Sequence, residues 1–256
     1  MYRVTCTIRK ISDPQQLFSI AAQEFFKRTE EAVKRTGHMT VALAGGSTPK
    51  GLYGLLASEP YRSMIDWSKV HVYWGDERHV PPDHQDSNYR MAHESLLSHV
   101  PAIPSQIHRM QGEFPNASDA ADAYEDVLRK EFTPSPGEAP VFDLILLGMG
   151  PDGHTASLFP ETEVVHESAR WVAAPWVEKF QTHRVTLTPV VLNQARHVMF
   201  LVSGKDKANA LQVVIEGPSQ PDQYPSQVIN PLSGELLWLV DEQAGSLLRK
   251  TTFQTQ

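Results

Sequence analysis

Residues 142–154 read FDLILLGMGPDGH, and this stretch decides the fold class. Its apolar run, Leu144 to Leu147, is typical of a β-strand that is buried on both faces. The run ends at Gly148, where a turn rich in glycine begins and carries Asp152 and His154. Strands buried on both faces belong to parallel sheets that are covered by helices, so the stretch predicts an α/β fold.

The alternation of short apolar runs with amphipathic segments continues on both sides of this strand. It predicts further strands over residues 40–44, 70–74, 171–174, 184–187, 198–202 and 236–240. It predicts helices over residues 14–35, 50–57, 88–97, 118–130, 205–215 and 241–248. Asp13 is the expected N-cap of the first helix, and residues 216–231, with four prolines, are predicted to form a surface loop.

The composition indicates an ordinary folded protein and excludes several classes. Of 256 residues 41% are hydrophobic, and 23 Lys and Arg against 30 Asp and Glu give a net charge of −7. A general nucleic-acid binder carries a basic excess, so that class is disfavoured. Cys6 is the single cysteine, which excludes an intramolecular disulfide and a cysteine-rich zinc site.

Segments for targeting, metal binding or assembly give no strong signal. No run approaches the ~18 apolar residues of a membrane span, and residues 1–10 lack the core of a signal peptide. We therefore expect a soluble, cytoplasmic protein that does not bind a membrane. No HExxH motif occurs, and no metal site is expected. No repeat or break in composition marks a boundary, so we expect one domain over residues 1–256, either as a monomer or as a homodimer.

Glycine follows the predicted strand at residues 40–44, in a loop that suits an anion. Gly45 and Gly46 let the backbone approach a ligand closely, while Ser47 and Thr48 offer hydroxyl groups. The helix that follows presents free N–H groups and the positive end of its dipole, which favours phosphate. The alternative is a tight turn in which a serine or threonine caps the helix.

Two further loops after predicted strands carry groups for acid–base chemistry. Asp76 and Arg78 follow the strand at residues 70–74, although a solvated charged loop is the alternative there. Asp152 and His154 follow the strand at residues 142–147, and an imidazole titrates near neutrality and can move protons. Ligands of open α/β sheets gather beyond the carboxyl ends of the strands, where these loops meet.

Further cations stand near the later strands, and one catalytic class is missing. Arg184 opens a predicted strand, and Lys205 and Lys207 follow another, but on these residues alone surface salt bridges are the favoured interpretation. No GxSxG motif is present, which argues against a serine hydrolase of the α/β-hydrolase kind. The remaining candidate is a hydrolase or an isomerase that uses histidine and aspartate without a cofactor.

Four segments together carry a resemblance to a known family. They are AGGSTP at 44–49, WGDER at 74–78 followed by SNY at 87–89, GMGPDGHTASLFP at 148–160, and RVTLT at 184–188. With these segments the chain resembles the 6-phosphogluconolactonases from about residue 40 to residue 248. The resemblance implies a Rossmann-like α/β fold, shared with glucosamine-6-phosphate deaminases and ribose-5-phosphate isomerases. It implies hydrolysis of a small sugar-phosphate lactone, 6-phospho-D-glucono-1,5-lactone, in the pentose phosphate pathway.

The resemblance also implies roles for individual residues. His154 would be the general base, with Asp152 orienting its imidazole. Arg78 would face the developing oxyanion or hold substrate oxygens, and Asp76 would hold Arg78 or bind sugar hydroxyls. The residues expected around the phosphate are Gly45, Gly46, Ser47, Thr48, Arg184 and Lys207.

Two other functions fit the same scaffold. A glucosamine-6-phosphate deaminase shares the fold and the phosphate loop, but its proton-abstracting loop resembles Asp-Glu-Tyr, whereas this chain has Arg78 after Asp76 and Glu77. A non-catalytic sugar-phosphate sensor would keep the phosphate loop and is disfavoured by the presence of both His154 and Asp152.

Overall fold

The computed structural model of the chain describes residues 5–135 and 137–249. Its strands are β1 (Thr5–Ile11), β2 (Met39–Leu43), β3 (Val70–Trp74), β4 (Asp76–Arg78), β5 (Leu144–Leu147), β6 (Val172–Ala173), β7 (Trp176–Val177), β8 (Thr182–Leu187), β9 (His197–Val202) and β10 (Glu235–Asp241). Its α-helices are α1 (Pro14–Thr36), α2 (Ser47–Leu56), α3 (Tyr61–Met64), α4 (Asn88–Ala92), α5 (Ala117–Phe132), α6 (Pro189–Leu192) and α7 (Ala208–Glu216). Each predicted strand is present.

One sheet of six strands organises the molecule, in the order β1-β10-β9-β5-β2-β3. All of its neighbouring strands run parallel. Both central strands, β5 and β2, are buried at every position, as expected for strands with helices on both sides. The predicted α/β fold with a mostly parallel sheet is confirmed.

The chain leaves the centre of this sheet in two opposite directions. From β2 it proceeds outward to β3, whereas from β5 it proceeds to β9 and β10 on the other side. The connections that follow β2 and β5 therefore diverge, and a crevice opens between them at the carboxyl ends of the strands. Such a switch point is where open α/β sheets bind ligands.

A small antiparallel sheet lies against this crevice and supplies one of its walls. β8 is its central strand, paired with β4 and β6 and also with β7. Gly75 joins the two sheets, because its N–H donates to Leu43 O at 2.9 Å and its carbonyl accepts from Leu187 N–H at 2.8 Å. The short step from β3 to β4 thus carries the chain from the large sheet to the small one.

The first helix follows its predicted bounds closely. Asp13 is its N-cap, and its side chain accepts from the N–H of Gln15 at 2.9 Å. Gly37 ends the helix with a φ of 89°, a left-handed conformation that glycine adopts without strain. The helix packs on β2 and β10.

Two segments differ from the predictions. The helix expected over residues 241–248 is wrong, because β10 continues to Asp241 and only a 3-10 turn, Ala244–Leu247, follows. The predicted surface loop at residues 216–231 is partly buried, since Ser226 is 1% exposed and donates to Gly153 O at 2.8 Å. In the part of the chain that the structure describes, no helix has the length and apolar character needed to cross a membrane.

Candidate active site

A cleft of about 660 Å³ lies beyond the carboxyl ends of β2, β3, β5 and β9, which are neighbours in the large sheet. It occupies the crevice at the switch point. The residues predicted from the sequence that line it are Gly45, Gly46, Ser47, Thr48, Asp76, Arg78, His154, Arg184 and Lys207. Asp152 lines a neighbouring depression instead and reaches the cleft through its contact with His154.

The start of α2 forms one wall of the cleft. Its N-cap is Gly46, with a φ of 101° and without a side chain that could accept from the helix. Within residues 5–135 and 137–249, the backbone N–H groups of Ser47 and Thr48 therefore have no acceptor. Neither hydroxyl caps the helix, so the alternative of a serine- or threonine-capped turn does not describe this loop. Free N–H groups at the positive end of a helix attract an anion.

The loop after β3 is a buried hydrogen-bonded network rather than a solvated charged loop. Glu77 is 2% exposed and accepts from the backbone N–H groups of Arg78, Asn88 and Tyr89 at 2.7–2.8 Å. Burial raises the pKa of Glu77 against the opposing effect of these hydrogen bonds. The carboxylate fixes the beginning of α4, which brings Asn88 against Gly45.

Asp76 is held at the base of the cleft by side chains from two other segments. Ser157 Oγ donates to its Oδ2 at 2.6 Å, and Asn88 Nδ2 lies 3.3 Å from its Oδ1. A Cβ on Gly45 would lie 2.0 Å from Asn88 Oδ1, so this arrangement requires glycine there. In the described ranges no ion pair joins Asp76 to Arg78, and both residues line the cleft. The two roles predicted for Asp76, holding Arg78 or binding sugar hydroxyls, stay predictions.

Arg78 and Arg184 give the cleft a strong positive charge. They are register partners on β4 and β8, and both line the cleft. Arg78 donates to Asp86 O at 2.6 Å and Arg184 to His183 O at 3.2 Å, but neither is paired with a carboxylate of the described residues. Burial, reinforced by the charge of Arg78, lowers the pKa of Arg184. A pair of this kind favours an anion in the space beside it.

Lys207 adds a further cation from the loop after β9. Its Nζ lies 2.9 Å from the exposed carboxylate of Asp206, and its side chain lines the cleft. Asp241, at the end of β10, shapes this loop by accepting from Ser203 Oγ at 2.5 Å and from Gly204 N–H at 3.0 Å. Lys205 is absent from the lining residues.

His154 and Asp152 form the pair that can move protons. His154 Nδ1 lies 2.5 Å from Asp152 Oδ1, and the imidazole stacks on Phe159 with 4.1 Å between ring centroids. An ionised carboxylate only accepts hydrogen bonds, so Nδ1 carries the proton and Nε2 presents its lone pair. A Cβ on Gly150 would lie 2.0 Å from His154 Nδ1, so glycine is required for the ring to occupy this position.

Asp152 is ionised and shared between His154 and Lys179. Burial alone would raise its pKa, but its hydrogen bonds with His154 and Lys179 outweigh burial and hold the pKa well below the ordinary value. Lys179 Nζ lies 3.0 Å from Asp152 Oδ2, on the carboxylate oxygen that His154 does not use. Lys179 was not predicted as a site residue, because it lies 27 residues from Asp152 in the sequence.

Ser157, Phe159 and Asn88 belong to the segments that carry the family resemblance, but the sequence analysis predicts no role for them. Their contacts with Asp76 and His154 assign them to the walls of the cleft. For metal binding, the described part of the chain contains no group of three or more His, Cys, Asp or Glu side chains in a suitable arrangement.

The chain is similar to known proteins over most of its length. Residues 12–238 match the family described as Glucosamine-6-phosphate isomerases/6-phosphogluconolactonase. The chain is 44% identical over 222 residues to a 6-phosphogluconolactonase from Synechocystis sp., covering 87% of this chain and 90% of the relative. It is 40% identical over 242 residues to one from Nostoc sp., covering 94% and 98%.

A similar solved structure is that of a 6-phosphogluconolactonase from Trypanosoma cruzi. The TM-score is 0.83 at 29% sequence identity, with 96% of this chain and 97% of the other covered. The resemblance therefore extends over nearly the whole fold. The chain belongs to the glucosamine-6-phosphate isomerase/6-phosphogluconolactonase family.

Proposed function

We propose that the chain hydrolyses 6-phospho-D-glucono-1,5-lactone to 6-phospho-D-gluconate, a step of the oxidative pentose phosphate pathway. One observation carries the proposal: a single cleft contains both a histidine held by an aspartate and a cationic wall. The histidine suits proton transfer, and the cationic wall suits a phosphate group. The relatives from Synechocystis sp. and Nostoc sp. bear the name of this activity and align with most of the chain.

The phosphate of the substrate binds between the start of α2 and the small sheet. The N–H groups that follow Gly45 and Gly46, with the hydroxyls of Ser47 and Thr48, supply donors on one side. Arg184 and Lys207 supply charge on the other side. These donors and cations hold the substrate by its phosphate, so that the lactone ring lies at the other end of the cleft.

His154 is the general base of the first step. Its Nε2 takes a proton from water while the water oxygen attacks the lactone carbonyl carbon, and the carbonyl electron pair moves to the carbonyl oxygen. Arg78, a permanent cation, stabilises that oxygen as its negative charge develops. Asp152 holds the Nδ1–H of the ring and stabilises the imidazolium that forms.

The second step returns the proton. The tetrahedral intermediate collapses, the bond between the carbonyl carbon and the ring oxygen breaks, and the imidazolium of His154 protonates the departing ring oxygen. The carboxylic acid so formed releases its proton to solvent, which leaves the enzyme unchanged. General-base catalysis raises the rate about 10²–10⁴-fold, and stabilisation of the oxyanion raises it about 10²–10³-fold. We expect these two effects to suffice for this reaction without a metal or a cofactor.

A substrate panel tests the proposal. The lactone is generated in place, and its loss is followed against the uncatalysed background, beside gluconolactone without phosphate and glucosamine 6-phosphate. We expect acceleration with the phosphorylated lactone, and a loss of about tenfold or more in kcat/KM without the phosphate. Release of ammonia from glucosamine 6-phosphate would instead support a deaminase. Binding of 6-phosphogluconate without any turnover would support a sensor.

A further inference from the structure

The turn that joins β7 to β8 contacts Asp152 directly and reaches His154 through Phe159. The first contact is the ion pair in which Lys179 Nζ lies 3.0 Å from Asp152 Oδ2. The second runs through aromatic rings, since Phe180 meets Phe159 edge to face with 5.7 Å between centroids and Phe159 stacks on His154. Adjacent residues of one turn thus support the aspartate and the imidazole separately.

Local hydrogen bonds hold this turn in one shape. The carboxylate of Glu178 accepts from Trp176 Nε1 at 2.8 Å and from Gln181 Nε2 at 2.7 Å. Gln181 has a φ of 50°, a left-handed conformation that a residue other than glycine adopts at some cost. The turn therefore presents Lys179 from a defined backbone rather than from a loose loop.

Each carboxylate oxygen of Asp152 contacts a different partner. Oδ1 faces His154 and Oδ2 faces Lys179, so the carboxylate cannot rotate without breaking one of these contacts. We propose that Lys179 is a positioning residue for the hydrolysis: it fixes Asp152 toward His154 and weakens the hold of this carboxylate on the imidazolium. The inference rests on the proposed function, because it concerns the base of that reaction.

Removing the charge of Lys179 would change the protonation of His154, whereas removing its packing contacts alone would not. Without this charge, the full charge of Asp152 would act on the imidazolium of His154, and the protonated ring would persist to higher pH. Less of the free base would then be present in mildly acidic solution. Lys179 therefore keeps the base available.

Other charged groups surround the pair at greater distance. On the cleft side they are Asp76, Arg78, Asp86, Arg184 and Lys207. In the neighbouring depression they are Glu161, Glu163, Glu167 and Glu178. Among the described residues, Lys179 and His154 are the basic side chains within ion-pair distance of Asp152, so a change at Lys179 acts on the pair most directly.

The test compares the pH profiles of kcat/KM for wild type, Lys179→Met and Lys179→Arg. Lys27→Met is the matched control, because Lys27 is 57% exposed against 54% for Lys179 and also faces a carboxylate, that of Glu31, but lies on α1. We expect the acidic limb of Lys179→Met to move to higher pH by about half to one unit, the effect of a single charge over several ångströms in a partly solvated site. Lys179→Arg and Lys27→Met should follow the wild type.

A second readout does not depend on activity. The ring signals of His154, identified by their loss in His154→Ala, are titrated by NMR in wild type and in Lys179→Met. The midpoint should move in the same direction and by a similar amount as the kinetic limb. Thermal unfolding of Lys179→Met confirms that the variant is folded.

The two proposals fail in different ways. A wild type without lactone hydrolysis overturns the proposed function, while the titration still decides whether Lys179 acts on His154. An active wild type with an unchanged acidic limb and titration in Lys179→Met overturns the positioning role. A loss of kcat by the same factor at every pH, with an unchanged titration, also contradicts it, because packing alone would have that effect.

Discussion

Arg78 and Arg184 are register partners across β4 and β8, and their guanidinium groups share one cleft without a neutralising carboxylate in the described part of the chain. Like charges directly opposite each other destabilise a strand pair. Burial lowers the pKa of Arg184, and the charge of Arg78 acts in the same direction. A bound phosphate would relieve the repulsion between the two guanidinium groups, which supports the proposed role of Arg184 in holding the phosphate of the substrate.

Replacing Arg184 should therefore weaken ligand binding while sparing the fold. Arg184→Met is expected to raise the Kd for 6-phosphogluconate about ten- to a hundredfold, the loss of a charge-assisted contact. The difference from wild type should be larger at low salt, where charge attraction is least screened. Titration calorimetry at two salt concentrations measures both effects.

Arg249→Met provides the control, because Arg249 is 71% exposed and lies outside the cleft. It removes the same charge from the protein and should leave the Kd near the wild-type value. Equal weakening by the two substitutions would show that net charge, rather than the Arg78–Arg184 pair, governs binding.

Turnover is predicted to require glycine at position 150, because a side chain there would collide with the His154–Asp152 pair. In Gly150→Ala the new Cβ would fall 2.0 Å from His154 Nδ1 and 2.6 Å from Asp152 Oδ1, so the pair must separate. We expect kcat to fall about tenfold or more, as the base loses its alignment. Steady-state kinetics with the lactone measure the effect.

Gly54→Ala is the matched substitution for Gly150→Ala. Gly54 lies within α2, and its Cβ would meet no atom within 4 Å. Alanine there should leave turnover unchanged and stabilise the protein by up to about 1 kcal/mol. Wild-type turnover in Gly150→Ala would contradict the geometry of the His154–Asp152 pair.

Asp152→Asn should cost stability at neutral pH but not in acid. Burial opposes ionisation of Asp152, yet its hydrogen bonds with His154 and Lys179 prevail and hold the pKa below the unfolded value of about 3.9. A lowered folded-state pKa stabilises the protein above the unfolded pKa, and this contribution is lost as the pH falls toward the folded value. We expect a deficit of about 1–2 kcal/mol at neutral pH that shrinks below about pH 4.

Urea unfolding at a series of pH values measures this deficit. Asp122→Asn is the control, since Asp122 is 62% exposed and pairs with Arg170 at the surface, where an ion pair contributes little. A deficit in Asp152→Asn that stays constant from neutral to strongly acidic pH would show that the carboxylate charge is not the cause.

The central strands of the fold could be predicted because strands that are buried on both faces consist almost entirely of apolar residues. Leu144 to Leu147 and the segment at residues 40–44 are apolar enough to indicate strands before any pairing is known. β1 is different, since its sequence TCTIRKI alternates polar and apolar residues at the edge of the sheet. Its pairing with β10 depends on tertiary contact, as does the continuation of β10 to Asp241.

The site residues that lie at the ends of strands could be predicted. Those that depend on contacts between residues far apart in the sequence could not. The carboxyl ends of parallel neighbours converge, which brings Gly45, Asp76 and His154 to one cleft. Ser157 is 81 residues from Asp76, and Lys179 is 27 residues from Asp152. Contacts of this kind arise from packing of the small sheet, for which no short sequence pattern exists.

The most direct test of the account is the hydrolysis of 6-phosphogluconolactone by wild type and His154→Ala side by side, with the lactone generated in place. Wild type should accelerate the loss of lactone above the background, and the variant should lose about 10²–10⁴-fold in kcat while still binding 6-phosphogluconate. Wild-type turnover in His154→Ala would contradict the assignment of His154 as the base.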